Sequence, residues 1–214
     1  MKGKKVFYIA MFFALIFMLF RCEGRDSRDY LEDRIGTQIS RVYPTKNLED
    51  LFEQFPNGFT IYQSYRVEDK FIDIELDGVE KGKPIEGTIK QIDIKSGAEE
   101  KKIAVTYDKG KYSYDNEEEA RKLWPIEKFL FQEMTLNKEI LSKFKLKDTY
   151  YNGNNGSFEI EYVVKNEQIN EFLELENKQK VTLGFHGSNS NKRYYYSLTV
   201  EIDKKLDFIE RIEE

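Results

Sequence analysis

Four stretches of this chain alternate apolar and polar residues with period two, and that pattern restricts the fold more than any other feature. Residues 71–76 (FIDIEL, with Phe71 out of phase), 102–107 (KIAVTY) and 157–164 (SFEIEYVV) each set an apolar row against a polar one, and 88–94 (TIKQIDI) does so less regularly, with Ile89 out of phase with Ile92 and Ile94. Successive side chains of a strand point to opposite faces, so such runs fit a sheet with one face packed and one wetted. The connections are short turns at Asp77-Gly78, Ser96-Gly97 and Asp108-Lys109-Gly110, the last leading into Tyr112-Ser113-Tyr114. Turns this tight join antiparallel neighbours. Further strands are expected at residues 180–185, 194–202 and 206–209, with a polar hairpin loop at 187–192 and a tight turn at 203–205.

Helical spacing appears between and before these runs. Ile35, Ile39, Val42 and Tyr43 form one stripe that Pro44 stops. Asn47 is placed to cap a helix over residues 48–55, whose Leu48, Leu51, Phe52 and Phe55 share a face. Asp115 with Glu118 resembles a capping box opening a helix that Trp124-Pro125 breaks, and Glu117-Glu118-Glu119 suits the positive end of its dipole. An apolar stripe continues through Ile126, Phe129, Leu130 and Met134, residues 136–146 add a further helical turn or two, and Asn166 caps residues 167–177. Strands grouped around helices without β-α-β alternation give an α+β class: an antiparallel sheet flanked by helices in one domain over residues 35–214.

Ahead of that domain lies a different kind of segment. Lys2, Lys4 and Lys5 precede fifteen uncharged apolar residues at 6–20, followed by Arg21 and the only cysteine, Cys22. At about 1.5 Å per helical residue the apolar run spans roughly 22 Å, short of a ~30 Å hydrocarbon core, as an export signal is. Residues 1–21 are expected to be the signal peptide and 22–34, strongly charged, a tether becoming helix. Cys22 has three readings: the lipidated first residue of a bacterial lipoprotein, part of an uncleaved signal anchor, or an incidental thiol. Leu19 sits where a lipobox requires it, whereas Phe20 and Arg21 stand where small residues belong. A lone cysteine forms no intramolecular disulfide, so stability must come from the core.

Without residues 1–21 the formal charge moves from −5 to −9, because the segment holds four basic residues and no acidic one. A domain this acidic has no basic field for nucleic acid. His186 is the sole histidine, so structural zinc is not expected and any serine-histidine-acid triad would have to use it. No metal, cofactor or catalytic residue is assigned. The acidic pairs Asp73/Glu75 and Glu159/Glu161 fall at alternate strand positions opposite the apolar residues, as a solvated sheet face does, although paired carboxylates also serve glycoside hydrolysis. Tyrosine joins apolar area to a polar tip and suits interfaces. Tyr150, Tyr151, Tyr194, Tyr195 and Tyr196 are therefore the candidate interaction residues, with Tyr195 on the face opposite its two neighbours.

The stretch Val42-Tyr43-Pro44-Thr45-Lys46-Asn47-Leu48-Glu49-Asp50-Leu51-Phe52 resembles the hallmark near the mature N-terminus of the staphylococcal tandem lipoproteins. The order of later elements is also similar: a hairpin around Lys109-Gly110-Lys111, a charged helix with Lys128-Phe129-Leu130-Phe131, a turn rich in tyrosine and asparagine at 150–156, and closing strands to residue 209. Only residues 43–52 match residue by residue. The resemblance implies an extracytoplasmic, membrane-attached lipoprotein with palmitate on its cysteine, a surface antigen linked to host-cell interaction and virulence, with no known enzymatic reaction. Its partners would be the lipid bilayer and a host or envelope protein. Arg21 departs from the family, which carries a small residue there. The other expected class is a small-ligand binder for a peptide or glycan, and a third is an envelope hydrolase. Metabolic labelling with a fatty acid should mark the protein and Cys22→Ala should abolish the label; an unlabelled wild type removes the lipoprotein expectation.

Overall fold

The computed structural model of the protein describes residues 24–176, 179–188, 194–203 and 205–214. The expected leader and Cys22 lie outside them, as do residues 189–192 of the expected hairpin loop, residue 177 of the helix expected over 167–177 and Lys204 of the expected turn. Ten antiparallel strands form one sheet: β1 (Phe59–Val67), β2 (Lys70–Gly78), β3 (Ile85–Asp93), β4 (Glu99–Asp108), β5 (Lys111–Tyr114), β6 (Lys145–Tyr151), β7 (Ser157–Val164), β8 (Val181–Ser188), β9 (Tyr195–Ile202) and β10 (Lys205–Glu213). Their order is β5-β4-β3-β2-β1-β10-β9-β8-β7-β6. Two five-stranded meanders are thus joined at the middle, where β1 pairs with β10 in the register Gln63 opposite Glu210. The fold is α+β, an antiparallel sheet with helices.

Alternation decides which face is packed. Ile61, Ile74, Leu76, Ile89, Ile160, Leu183, Phe185 and Val200 are buried on one face, and the helices lie against it. They are α1 (Arg28–Ile39), a 3-10 helix (Leu48–Glu53), α2 (Glu117–Leu123), α3 (Leu130–Glu133), α4 (Lys138–Lys143) and α5 (Glu167–Phe172). The tether boundary expected at residue 34 falls inside α1, which Ser27 caps through Tyr30 N–H and whose Leu31 is fully buried. An amphipathic turn that has apolar surface to bury cannot remain a tether. Buried Glu32 takes a 2.7 Å hydrogen bond from Arg28 and a 3.1 Å bond from the Tyr162 hydroxyl. The same Arg28 donates to the carbonyls of Leu141, Ser142 and Phe144, the unpaired end of α4. Close contact between α1 and α4 requires Gly36, where a Cβ would stand 2.6 Å from the Lys138 nitrogen.

Several expected boundaries shift. The helix over 48–55 is a 3-10 helix ending at Glu53, and Asn47 gives it no side-chain cap but donates to Asp50 instead. Asn116, not Asp115, caps α2 through Glu119 N–H, because Asp115 accepts from Ala104 N–H on β4. Helical structure in 136–146 is limited to α4, and β6 begins at Lys145. Asn166 caps α5 as expected, but the helix ends at Phe172.

One carboxylate holds the layers together. Glu210 is 1% exposed, on the packed face at the centre of the sheet. It accepts from the Tyr43 hydroxyl at 2.6 Å and from the backbone N–H groups of Leu130 (2.6 Å) and Phe131 (2.9 Å). The segment carrying Tyr43 and the one carrying α3 are also clasped directly: Lys46 Nζ donates to Gln132 O, Gln132 Nε2 donates to Lys46 O, and Thr45 N–H donates to Phe131 O. Burial pushes the Glu210 carboxyl up to about 7, while its three donors favour the charge and limit the rise.

Two outcomes follow from this packing. Leu51 is fully buried, so Leu51→Ala should lower unfolding free energy by about 2–5 kcal/mol, read by urea titration. For Glu210 the folded-state pKa lies above the unfolded one, so its contribution is complete below pH ~4.5 and declines as pH rises towards 7. Relative to Glu210→Gln, wild-type stability should fall by about 3 kcal/mol between pH 4.5 and 8; a pH-independent difference would mean that the carboxyl is ionised throughout.

Candidate functional site

The second face of the sheet carries no helix among the described residues. Register turns its side chains into rows that cross the strands. One row runs Glu75, Tyr62, Arg211, Ser197, His186, Glu159, Tyr150, each directly opposite the next. Beside it runs Asp73, Ser64, Ile209, Thr199, Gly184, Glu161. Small residues at Ser64, Ser197, Thr199 and Gly184 keep the middle low, and tyrosines rise around it. A Cβ at Gly184 would meet Thr199 Oγ1 at 2.5 Å, so the floor admits no larger residue without displacement.

Charge on this face is organised around Arg211. Its guanidinium carbon lies 5.0 Å from the Tyr62 ring centroid and 5.8 Å from that of Tyr195, so the cation is held between two aromatic faces. Arg211 Nε and Asp73 Oδ1 are both buried without a hydrogen-bond partner, and both residues line a cavity of about 460 Å³ with Ser64, Phe71 and Ile209. Burial, then the Asp73 charge, raises the Tyr62 hydroxyl above its ordinary pKa. An adjoining cavity of about 450 Å³ is lined by Tyr150, Glu159, His186, Tyr195 and Ser197, among others. There His186 Nδ1 stands 3.5 Å from Glu159 and its Nε2 stands 3.2 Å from Thr199 Oγ1.

The five expected interaction tyrosines divide between the faces. Tyr195 and Tyr150 lie on the uncovered face, and Tyr150 is 55% exposed. Tyr194 and Tyr196 do not join them: both are buried on the packed side, 4.9 Å apart between ring centroids, and Tyr194 lies as close to Phe55. Alternation forces that split. Tyr151 turns towards Tyr30 of α1 and the Arg25 guanidinium. Sequence reading passed over Arg211, Ser64, Ser197 and Thr199, since only strand register gathers them. The acidic pairs Asp73/Glu75 and Glu159/Glu161 lie on this face, as their phase implied.

Chemically the face offers hydrogen-bonding and aromatic contact spread over several strands. Among the described residues there is no cluster of three or more groups able to hold a metal, and no helix long and apolar enough to cross a membrane. Among the described residues the carboxyl pushed furthest up is Glu210, whose oxygens are all engaged in the core, away from the paired carboxylates of the open face. Compared with known protein families and with characterised proteins, the chain matches none.

Proposed function

We propose that this chain is an extracytoplasmic protein of a Gram-positive bacterium, held at the cell membrane by its N-terminus through lipidated Cys22 or an uncleaved leader. It acts by protein contact as a surface antigen rather than by catalysis, and the face carrying Tyr62, Tyr150, Tyr195 and Arg211 makes the contact. The leader at residues 1–22 and the resemblance at residues 43–52 support the location and class. The observation that carries the contact reading is the uncovered face itself, where Arg211 is set between two tyrosines and a third tyrosine stands exposed. Tyrosine and arginine dominate the energetics of protein interfaces. The partner is a host or envelope protein.

A second reading, a lipoprotein that captures a small ligand, is favoured by one observation: a largely apolar cavity with charged residues among its lining, on the helix side of the sheet.

The double variant Tyr150→Ala, Tyr195→Ala removes contact area from the open face without entering the core. Hot-spot tyrosines are worth about 2 kcal/mol or more each, so a partner recovered with the wild-type chain from host-cell or envelope extract should bind the double variant at least tenfold more weakly. Equal recovery by both, at equal thermal stability, removes this face as the contact surface.

A further inference from the structure

On the packed side, where the two meanders meet, the helices leave a space unfilled. The cavity measures about 480 Å³, within the roughly 300–1,000 Å³ typical of small-molecule sites. One wall comes from Ile126, just beyond α2; the opposite wall comes from Phe172, Leu173 and Leu175 at the end of α5; Phe208 of β10 lies below. These residues are apolar, and the charges at the rim are of both signs, Arg66 and Lys122 with Glu174 and Asp207.

Among these apolar walls lies Gln63 of β1. Its side chain is 1% exposed, and Oε1 has no hydrogen-bond partner. An unmet buried acceptor costs about 1–3 kcal/mol, and the Gln63 neighbours along its strand on this face, Ile61 and Tyr65, do not supply a donor: Ile61 has none, and the Tyr65 hydroxyl donates to Leu123 O. The walls therefore suit an aliphatic chain, and the acceptor at the base suits a donor. A charged head drawn down to Gln63 would leave the rim charges and lose its water among these walls, and Glu210, directly opposite Gln63, is already engaged by three donors, which disfavours it.

We infer that this cavity is a binding site for a neutral aliphatic ligand whose head group donates a hydrogen bond to Gln63 Oε1. This develops the small-ligand reading and is independent of the open face, which lies across the sheet. The ligand would be gripped by α2 and its following loop from one meander and by α5 from the other, so occupancy ties the two halves together.

Trp124, the only tryptophan, sits between two lining residues, Leu123 and Pro125, and reports on the site by its fluorescence. Titrating the purified full chain with octanamide should give a saturable change, with affinity at least tenfold above that for methyl octanoate, which accepts hydrogen bonds but cannot donate. Gln63→Leu, close in shape and without the orphan acceptor, should erase that preference, leaving the two probes equal within about twofold. Ile126→Phe, which fills the space, should abolish the saturable change for both. The inference is overturned if octanamide gives no saturable change, if wild type binds the two probes equally, or if Ile126→Phe leaves the response intact. Should Gln63→Leu fail to fold by circular dichroism, the wild-type probe preference and the Ile126→Phe response still decide. Loss of the open-face partner leaves these outcomes unaffected, so the two readings fail separately.

Discussion

A buried acid on the seam between the two meanders, Glu210, ties three distant parts of this chain together. Glu210 sits on the central strand of a ten-stranded sheet and is satisfied by one hydroxyl and two backbone N–H groups from segments about 80 and 167 residues away in sequence. A buried acid with no cation is tolerable only when each oxygen is met by a donor. That requirement fixes Tyr43 and the start of α3 over the seam between the meanders more tightly than apolar contact would, because apolar packing has no direction and hydrogen bonds do. The clasp between Lys46 and Gln132, close in sequence to Tyr43 and Phe131, repeats the same logic.

Because the helices are drawn to that side, the other face, among the described residues, is left to the strands alone. The polar residues there do not form a random solvated surface. Register lines them up in rows, and Arg211 of β10 is enclosed between tyrosines on the two neighbouring strands, β1 and β9. Each half of the molecule contributes to that enclosure, Tyr62 from the first meander and Tyr195 from the second. The helix-side cavity is also built from both halves, so both candidate sites depend on the junction that Glu210 secures.

Strands β2, β4 and β7 were legible because each buries one apolar row and wets the other, and β3 because turn residues bound it on either side. Strand β1 was not, because polar Gln63 occupies its packed face and the tyrosines beside it blur the period. Strand β6 lies at the sheet edge and carries an irregularity between Leu146 and Asp148, which breaks the alternation. The length of α1 was hidden by its charge: a helix that buries Glu32 beneath Arg28 and Tyr162 looks in sequence like a solvated tether. Individual tyrosine faces followed from alternation, but their grouping did not. Tyr62, Arg211, Ser197, His186 and Tyr150 become neighbours only through pairings between strands widely separated along the chain, and a linear pattern does not encode pairing partners.

The placement of β10 between β1 and β9 has a consequence for biogenesis. Synthesis from the N-terminus delivers β1 to β9 first, and until residues 205–213 emerge, the edges of β1 and β9 have no strand between them. Exposed edges of this kind recruit stray strands. A transcript interrupted near its end would yield two open half-sheets, a product primed for self-association and for removal by proteases.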